Sequence, residues 1–369
     1  MENTVILFGL GDVGMRALEL LARSEGVDRI VAADINKKYV YRMNGPATAS
    51  IHQGFYKKFE FYANDVKDVD ATARLLDGVR PAVILSVTST LSPRLSRDPN
   101  LFRYPEPVRE RLTAVGFGVE LPFHLLLPYR LMQAVNKSGI ETHVVNGSFP
   151  DVVGPALWKH LGYGPTVGLG NHDHSVVRIT KYLSMTREVP AHDVTLYFVG
   201  SHALVERGGL GERDVPFFLK IVLGDRDVTN EYDAKWLIHD CMPVSASSLG
   251  ASTASSGVRN VMAILRDTHE YLHAPSPNGL IGGYPVRLSA KGAEVVLPRE
   301  LTLDKAIKIN EEAEKYDGIE KIKDDGTVVY TDKAYSIMKE LGYDCKELRF
   351  DELESRGQEL LRLYRKLSV

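Results

Sequence analysis

Residues Thr4 to Phe8 form an unbroken apolar run, the pattern of a strand buried on both faces. From Met15 onward the pattern changes, because Met15, Leu18, Leu21 and Ala22 recur at helical spacing. Between the two stands Gly9-Leu10-Gly11-Asp12-Val13-Gly14, so the segment reads strand, tight glycine turn, helix. The alternation then repeats. Strand-like runs at Arg29 to Ala33, Phe59 to Tyr62, Ala82 to Val87 and Glu141 to Val145 are separated by helical stretches such as Asp70 to Leu76 and Tyr129 to Val135. This predicts an α/β domain over residues 1–150, built on a doubly wound parallel sheet.

Between the fourth and fifth runs lies a long polar segment, Ser89 to Glu120, with several prolines and with Arg94, Arg97, Arg103, Arg109 and Arg111. It reads either as an active-site lid or as a surface excursion with solvated arginines. Residues 151–322 are expected to form a second, α+β lobe. Residues 323–369 form an extension, with a short strand at Val328 to Tyr330 and amphipathic helices around Tyr335 to Leu341 and Leu353 to Leu367, suited to packing or oligomerisation. A chain of 369 residues suits two packed lobes.

Composition narrows the function classes. With 44% hydrophobic and 25% charged residues and no apolar run of about 18, the chain is expected to be a folded enzyme of the cytoplasm with no membrane partner. The first strand begins at Thr4, so no leader segment is expected ahead of it. A net charge of -3 gives no basic field for nucleic acid. Cys241 and Cys345 lack metal-type spacing, so neither a disulfide framework nor a metal site is expected.

The glycine turn specifies a cofactor. Gly9 permits the tight turn, Gly11 lets backbone approach a pyrophosphate, and Gly14 lets helix and strand pack closely, while Asp12 and Val13 open the helix toward the phosphates. Asp34, closing the second strand 20 positions beyond Gly14, is placed to accept from both ribose hydroxyls and to repel a 2'-phosphate. NAD is therefore expected over NADP, although Lys37 and Lys38 follow.

From Asn146 onward the order of motifs resembles the lactate and malate dehydrogenase superfamily, over roughly Val5 to Ile322. Val144-Val145-Asn146 with Phe149-Pro150-Asp151 is similar to the strand-terminal segment beside the nicotinamide, where the family asparagine bonds substrate. Val167-Gly168-Leu169-Gly170 leads into a helix bearing Arg178, which looks like the arginine that clamps the substrate carboxylate. Val199-Gly200-Ser201-His202 resembles the strand end that supplies the catalytic histidine, 24 positions after Arg178. Thr253 stands where the family lines its substrate pocket, and Gly282 to Val286 with Lys291 to Glu294 looks like its closing hairpin before a long helix from Leu303. The resemblance implies NAD, a small carboxylate substrate, and a homodimer or homotetramer.

Three departures stand out. Ser175 occupies the spacing at which the family places an aspartate to orient the histidine, leaving Asp173 or His174 as substitutes through a local bulge. Ala203-Leu204-Val205 follow His202 where the family continues with Gly-Asp-Ser. The lid lacks a recognisable arginine loop, and Arg97 and Arg103 are the nominated substrate contacts. The expected activity is oxidation of a 2-hydroxycarboxylate, malate- or lactate-like or larger. Two alternatives are a non-catalytic NAD-binding sensor and a family 4 glycosidase-like enzyme, the latter weakened because Val145 stands where its metal-binding cysteine is expected.

Overall fold

In a computed structural model, described over residues 2–91, 102–208, 210–243 and 246–369, six parallel strands form the central sheet. They are β1 (Thr4–Phe8), β2 (Arg29–Asp34), β3 (Lys58–Ala63), β4 (Val83–Ser86), β5 (His143–Asn146) and β6 (Val167–Gly168), in the order β3-β2-β1-β4-β5-β6. The chain winds outward through β3, then returns to lay β4 against the other side of β1, with Phe8 level with Ser86. In sheets of this order the reversal is where a crevice opens at the strand ends, and Gly9 follows the end of β1 there.

The unbroken apolar pattern of β1 has a structural cause. Its alternate residues enter two different cores: Ile6 and Phe8 pack on one face with Leu76, Leu131, Tyr330 and Tyr364, and Val5 and Leu7 on the other with Leu18, Val261 and Val286. Burying each such side chain stabilises by about 1.5–3 kcal/mol. The first face is covered by the helices Val69–Val79 and Leu121–Ser138, the second by Asp12–Ala22 and by Ala246–Leu265, which returns from the second lobe. The contact of those last two is so close that a Cβ on Gly250 would lie 2.4 Å from Asp12 Oδ2.

The second lobe carries two antiparallel sheets: β7 (Val194–Val199), β8 (Phe218–Leu223) and β9 (Arg226–Asp227); and β10 (Glu270–Pro275), β11 (Gly283–Ser289) and β12 (Gly292–Val295). They are joined where Gly283 N–H donates to Gly200 O at 2.9 Å. The extension forms a third small sheet of β13 (Ile319–Ile322), β14 (Val328–Tyr330) and β15 (Glu347–Leu348), with helices Asp332–Leu341 and Leu353–Leu367. Its sheet begins before residue 323, because β13 pairs with β14. Its apolar residues join the core of the first lobe.

The described part of the proposed lid is only partly irregular, with no helix or strand at residues 89–91 and 102–105. It forms the helix Glu106–Val115 and a 3-10 turn, Phe117–Glu120, that runs into Leu121–Ser138. Its periodicity is faint because only Val115 of the helix is buried, and its start is set by Pro105 and Pro107 and by the Glu106–Arg109 pair. Arg94 and Arg97 lie outside the described residues. Among the described residues no single helix is long and apolar enough to cross a membrane.

Candidate functional site

The glycine turn is built as a cradle. Gly9 adopts φ +93°, a left-handed conformation that favours glycine, and its N–H donates to Ala33 O at 2.9 Å. A Cβ on Gly14 would fall 1.8 Å from Gly9 O, so helix and turn touch backbone to backbone. A Cβ on Gly11 would meet nothing within 4 Å, which leaves open space above the turn. Gly11 caps the helix without a side-chain bond, so the first amides are presented to an anion. Asp34 closes β2 with Oδ2 accepting from Leu10 N–H and Oδ1 from Asn36 N–H, both at 2.8 Å. The Arg42 guanidinium donates to Leu10 O at 2.7 Å and lies 3.7 Å over the Tyr39 ring. These residues fit a dinucleotide: the cradle would hold its pyrophosphate, and Asp34 would stand at its ribose.

His202 follows the end of β7 and opens the short helix His202–Gly208. Its backbone N–H donates to Asp151 Oδ2 at 2.5 Å, and its ring Nδ1 lies 2.6 Å from Asp317 Oδ2. The Asp317 side chain is 0% exposed and that of His202 18%. Phe117 and Phe149 pack on the imidazole, ring centres 4.8 and 5.2 Å away. Gly116 and Gly118 are pressed against Asp317, where a Cβ would come within 2.4 and 2.6 Å of its backbone. Burial works to lower the His202 pKa, but the charges of Asp317, Glu206 and Asp151 and the Asp317 hydrogen bond raise it above its ordinary value. Burial pushes Asp151 up to about 6, against the opposing charge of His202.

Asp173 is therefore not the partner of His202. It is buried beside Ser256, and burial pushes its carboxyl up to about 6. The anion comes instead from the turn after the Leu303–Glu314 helix, a position that local spacing could not reveal. Nor does His174 take that role. Its Nδ1 lies 2.8 Å from Ser252 Oγ and its Nε2 3.2 Å from Thr253 Oγ1, and burial together with Arg178 pushes it down to about 4, so it is neutral. The Thr253 hydroxyl donates to Leu249 O at 2.8 Å.

Other nominated side chains are already engaged. Arg178 donates from Nη1 to Cys241 O at 3.0 Å and from Nη2 to Ile238 O at 2.7 Å, with Ser175 Oγ at 3.5 Å. The end-on fork that the sequence assigned to a carboxylate thus holds backbone carbonyls. Asn146 closes its own turn, Nδ2 to Ser148 O at 3.0 Å and Oδ1 from Ser148 N–H at 3.2 Å. Arg103 is exposed, and its backbone binds Ser368 Oγ and Val369 N–H. The structure does add a residue that sequence reasoning missed. Buried His172 donates from Nε2 to Ser201 O at 2.6 Å, pinning the residue before His202. Its only sequence signal is the cluster Asn171-His172-Asp173-His174 itself.

No protein-family model and no curated protein sequence matches the chain. Solved structures do. The lactate dehydrogenase of Cryptosporidium parvum, solved with lactic acid and nicotinamide adenine dinucleotide, aligns at TM-score 0.59 and 15% identity over 86% of this chain and 98% of that one. The malate dehydrogenase of Aeropyrum pernix aligns at 0.56 and 16% over 85% and 97%. That of Plasmodium falciparum aligns at 0.56 and 13% over 99% and 100%. The chain has the two-lobed fold of these proteins.

Proposed function

We propose that this chain, which has the lactate and malate dehydrogenase fold, is an NAD-dependent oxidoreductase that interconverts a 2-hydroxycarboxylate and its 2-oxoacid. The observation that carries this reading is a histidine held by a buried aspartate, His202 on Asp317 at 2.6 Å, in a protein whose Gly9–Gly14 turn fits a dinucleotide. A nicotinamide cofactor held at the Gly9–Gly14 turn and Asp34 would supply the hydride chemistry. His202 supplies the proton. With its pKa raised, the imidazolium is populated near neutral pH and donates from Nε2 to the carbonyl oxygen of a 2-oxoacid, taking the proton back in the reverse direction. Asp317 fixes the ring through Nδ1 and offsets its charge. Phe117 and Phe149 keep water from the imidazole, which strengthens that pairing. Arg178 contributes to carboxylate binding through Nε, because its Nη1 and Nη2 hold the carbonyls of Cys241 and Ile238 and Nη2 also reaches Ser175 Oγ.

The engagement of Asn146 and of the Arg178 fork favours a second reading, a non-catalytic NAD-binding sensor. One experiment separates the two. NADH binding is followed by fluorescence, and NADH oxidation by absorbance across a panel of 2-oxoacids that includes sugar-derived acids. Binding with turnover of any member supports the dehydrogenase, and binding without turnover selects the sensor. Failure to bind NADH overturns both.

A further inference from the structure

Behind His202 lies a carboxyl group that the reaction above does not use. Glu314 ends the Leu303–Glu314 helix, is 1% exposed, and has neither Oε1 nor Oε2 in bonding geometry with any partner. Asp151 and Asp317 both face it, one from the Pro150–Leu161 helix and one from the turn that follows Glu314. His202 stands beyond both, bonded to each. From the other sides come the Ser201 hydroxyl beside Glu314 and, beside Asp151, the Asn171 amide and the Tyr284 hydroxyl, the latter next to Asn310. Asp151 Oδ2 is occupied by the His202 amide, while Asp151 Oδ1, the neighbouring Asn171 Nδ2 and the Tyr284 hydroxyl are all buried outside bonding geometry.

Three ionised carboxylates around one imidazolium, out of water, would leave uncompensated buried charge. A protonated carboxyl removes one charge and becomes a donor, and Asp151 Oδ1, with two lone pairs, can accept from it as well as from the Asn171 amide. We propose that Glu314 is a positioning residue that carries a proton and donates it in a hydrogen bond to Asp151, so that Asp151 in turn fixes the His202 amide. The chain of bonds then runs Glu314 to Asp151, Asp151 to the His202 backbone, and the His202 ring to Asp317. Burial, with the negative neighbours Asp151 and Asp317, holds the Glu314 pKa well above its ordinary value, and the Ser201 hydroxyl works the other way. The inference rests on His202 as the proton-exchanging residue, but its test does not need turnover.

The test follows the side-chain carboxyl and imidazole signals of the full chain by NMR across a pH titration, in the wild type and in Glu314→Gln. The Glu314 carboxyl is expected to stay protonated through neutral pH. Glu314→Gln, which keeps a neutral donor, is expected to leave the His202 midpoint in place. A Glu314 signal that titrates in the ordinary carboxylate range overturns the proposal. So does a His202 midpoint that falls in Glu314→Gln, since that shows an anion has been removed. Once a substrate is in hand, Glu314→Ala should lower kcat about tenfold, the rate equivalent of one lost hydrogen bond, with KM for NADH unchanged and with rescue by Gln. No turnover by the wild type would defeat the dehydrogenase reading and leave the NMR result standing.

Discussion

Asp317 and His202 are 115 positions apart, yet their side chains meet inside the protein. The pairing raises the His202 pKa above 6.5, so the stability it contributes is fully present below that pH and is lost as pH rises through the folded-state value. Asp317→Asn keeps the shape and removes the charge. It should cost about 1.5–3 kcal/mol on the acid side and progressively less at higher pH, as read by thermal unfolding across pH. The alkaline decline of 2-oxoacid reduction should also move to lower pH, and an unmoved profile would remove Asp317 from this role. Gly14 offers a sharper steric test. A Cβ 1.8 Å from Gly9 O forces turn and helix apart, so Gly14→Ala should destabilise by about 1–3 kcal/mol and weaken NADH binding in a fluorescence titration.

At the scale of elements, three separate segments are held together by one side chain. The buried Arg207 guanidinium donates to Tyr316 O at 2.7 Å, Thr113 O at 3.1 Å and Ala114 O at 3.4 Å, tying the His202–Gly208 helix to the Glu106–Val115 helix and to the turn that carries Asp317. Lysine cannot reproduce that fork. Arg207→Lys should leave carbonyls unsatisfied at about 1–3 kcal/mol and should lower kcat more than NADH affinity, because Asp317 adjoins Tyr316. Equal losses in kcat and in NADH affinity would sink this reading. How much of the site was legible in the sequence follows the same division. β1, the glycine turn, β2 and its terminal Asp34 announce themselves by local period and spacing. His202 could be nominated because it ends an apolar strand. Asp317 could not, because nothing near it in sequence specifies its long-range pairing. Asn146 and Arg178 had the expected spacing, but spacing does not say where a side chain spends its hydrogen bonds. The Glu106–Val115 helix was hidden by a surface with almost no apolar stripe.

At the scale of the molecule, the extension belongs to the core of the first lobe. Ile319, Val328, Tyr330, Met338, Leu353, Leu360 and Tyr364 share one cluster with Ile6, Phe8, Leu76 and Leu131. A chain cut after Gly318 should therefore expose the Leu121–Ser138 helix, bind a hydrophobic dye, and lose its cooperative thermal transition. A sharp transition near the wild-type temperature would show that the extension is dispensable. The shared cluster also bears on how such a protein can change by recombination. A first lobe whose core is completed from beyond the second lobe is not a portable cassette: a crossover that exchanges residues 1–150 alone would part Phe8 from Tyr330 and Tyr364. Lineages can vary the crevice by substitution, but trading the whole cofactor module requires both stretches to travel together.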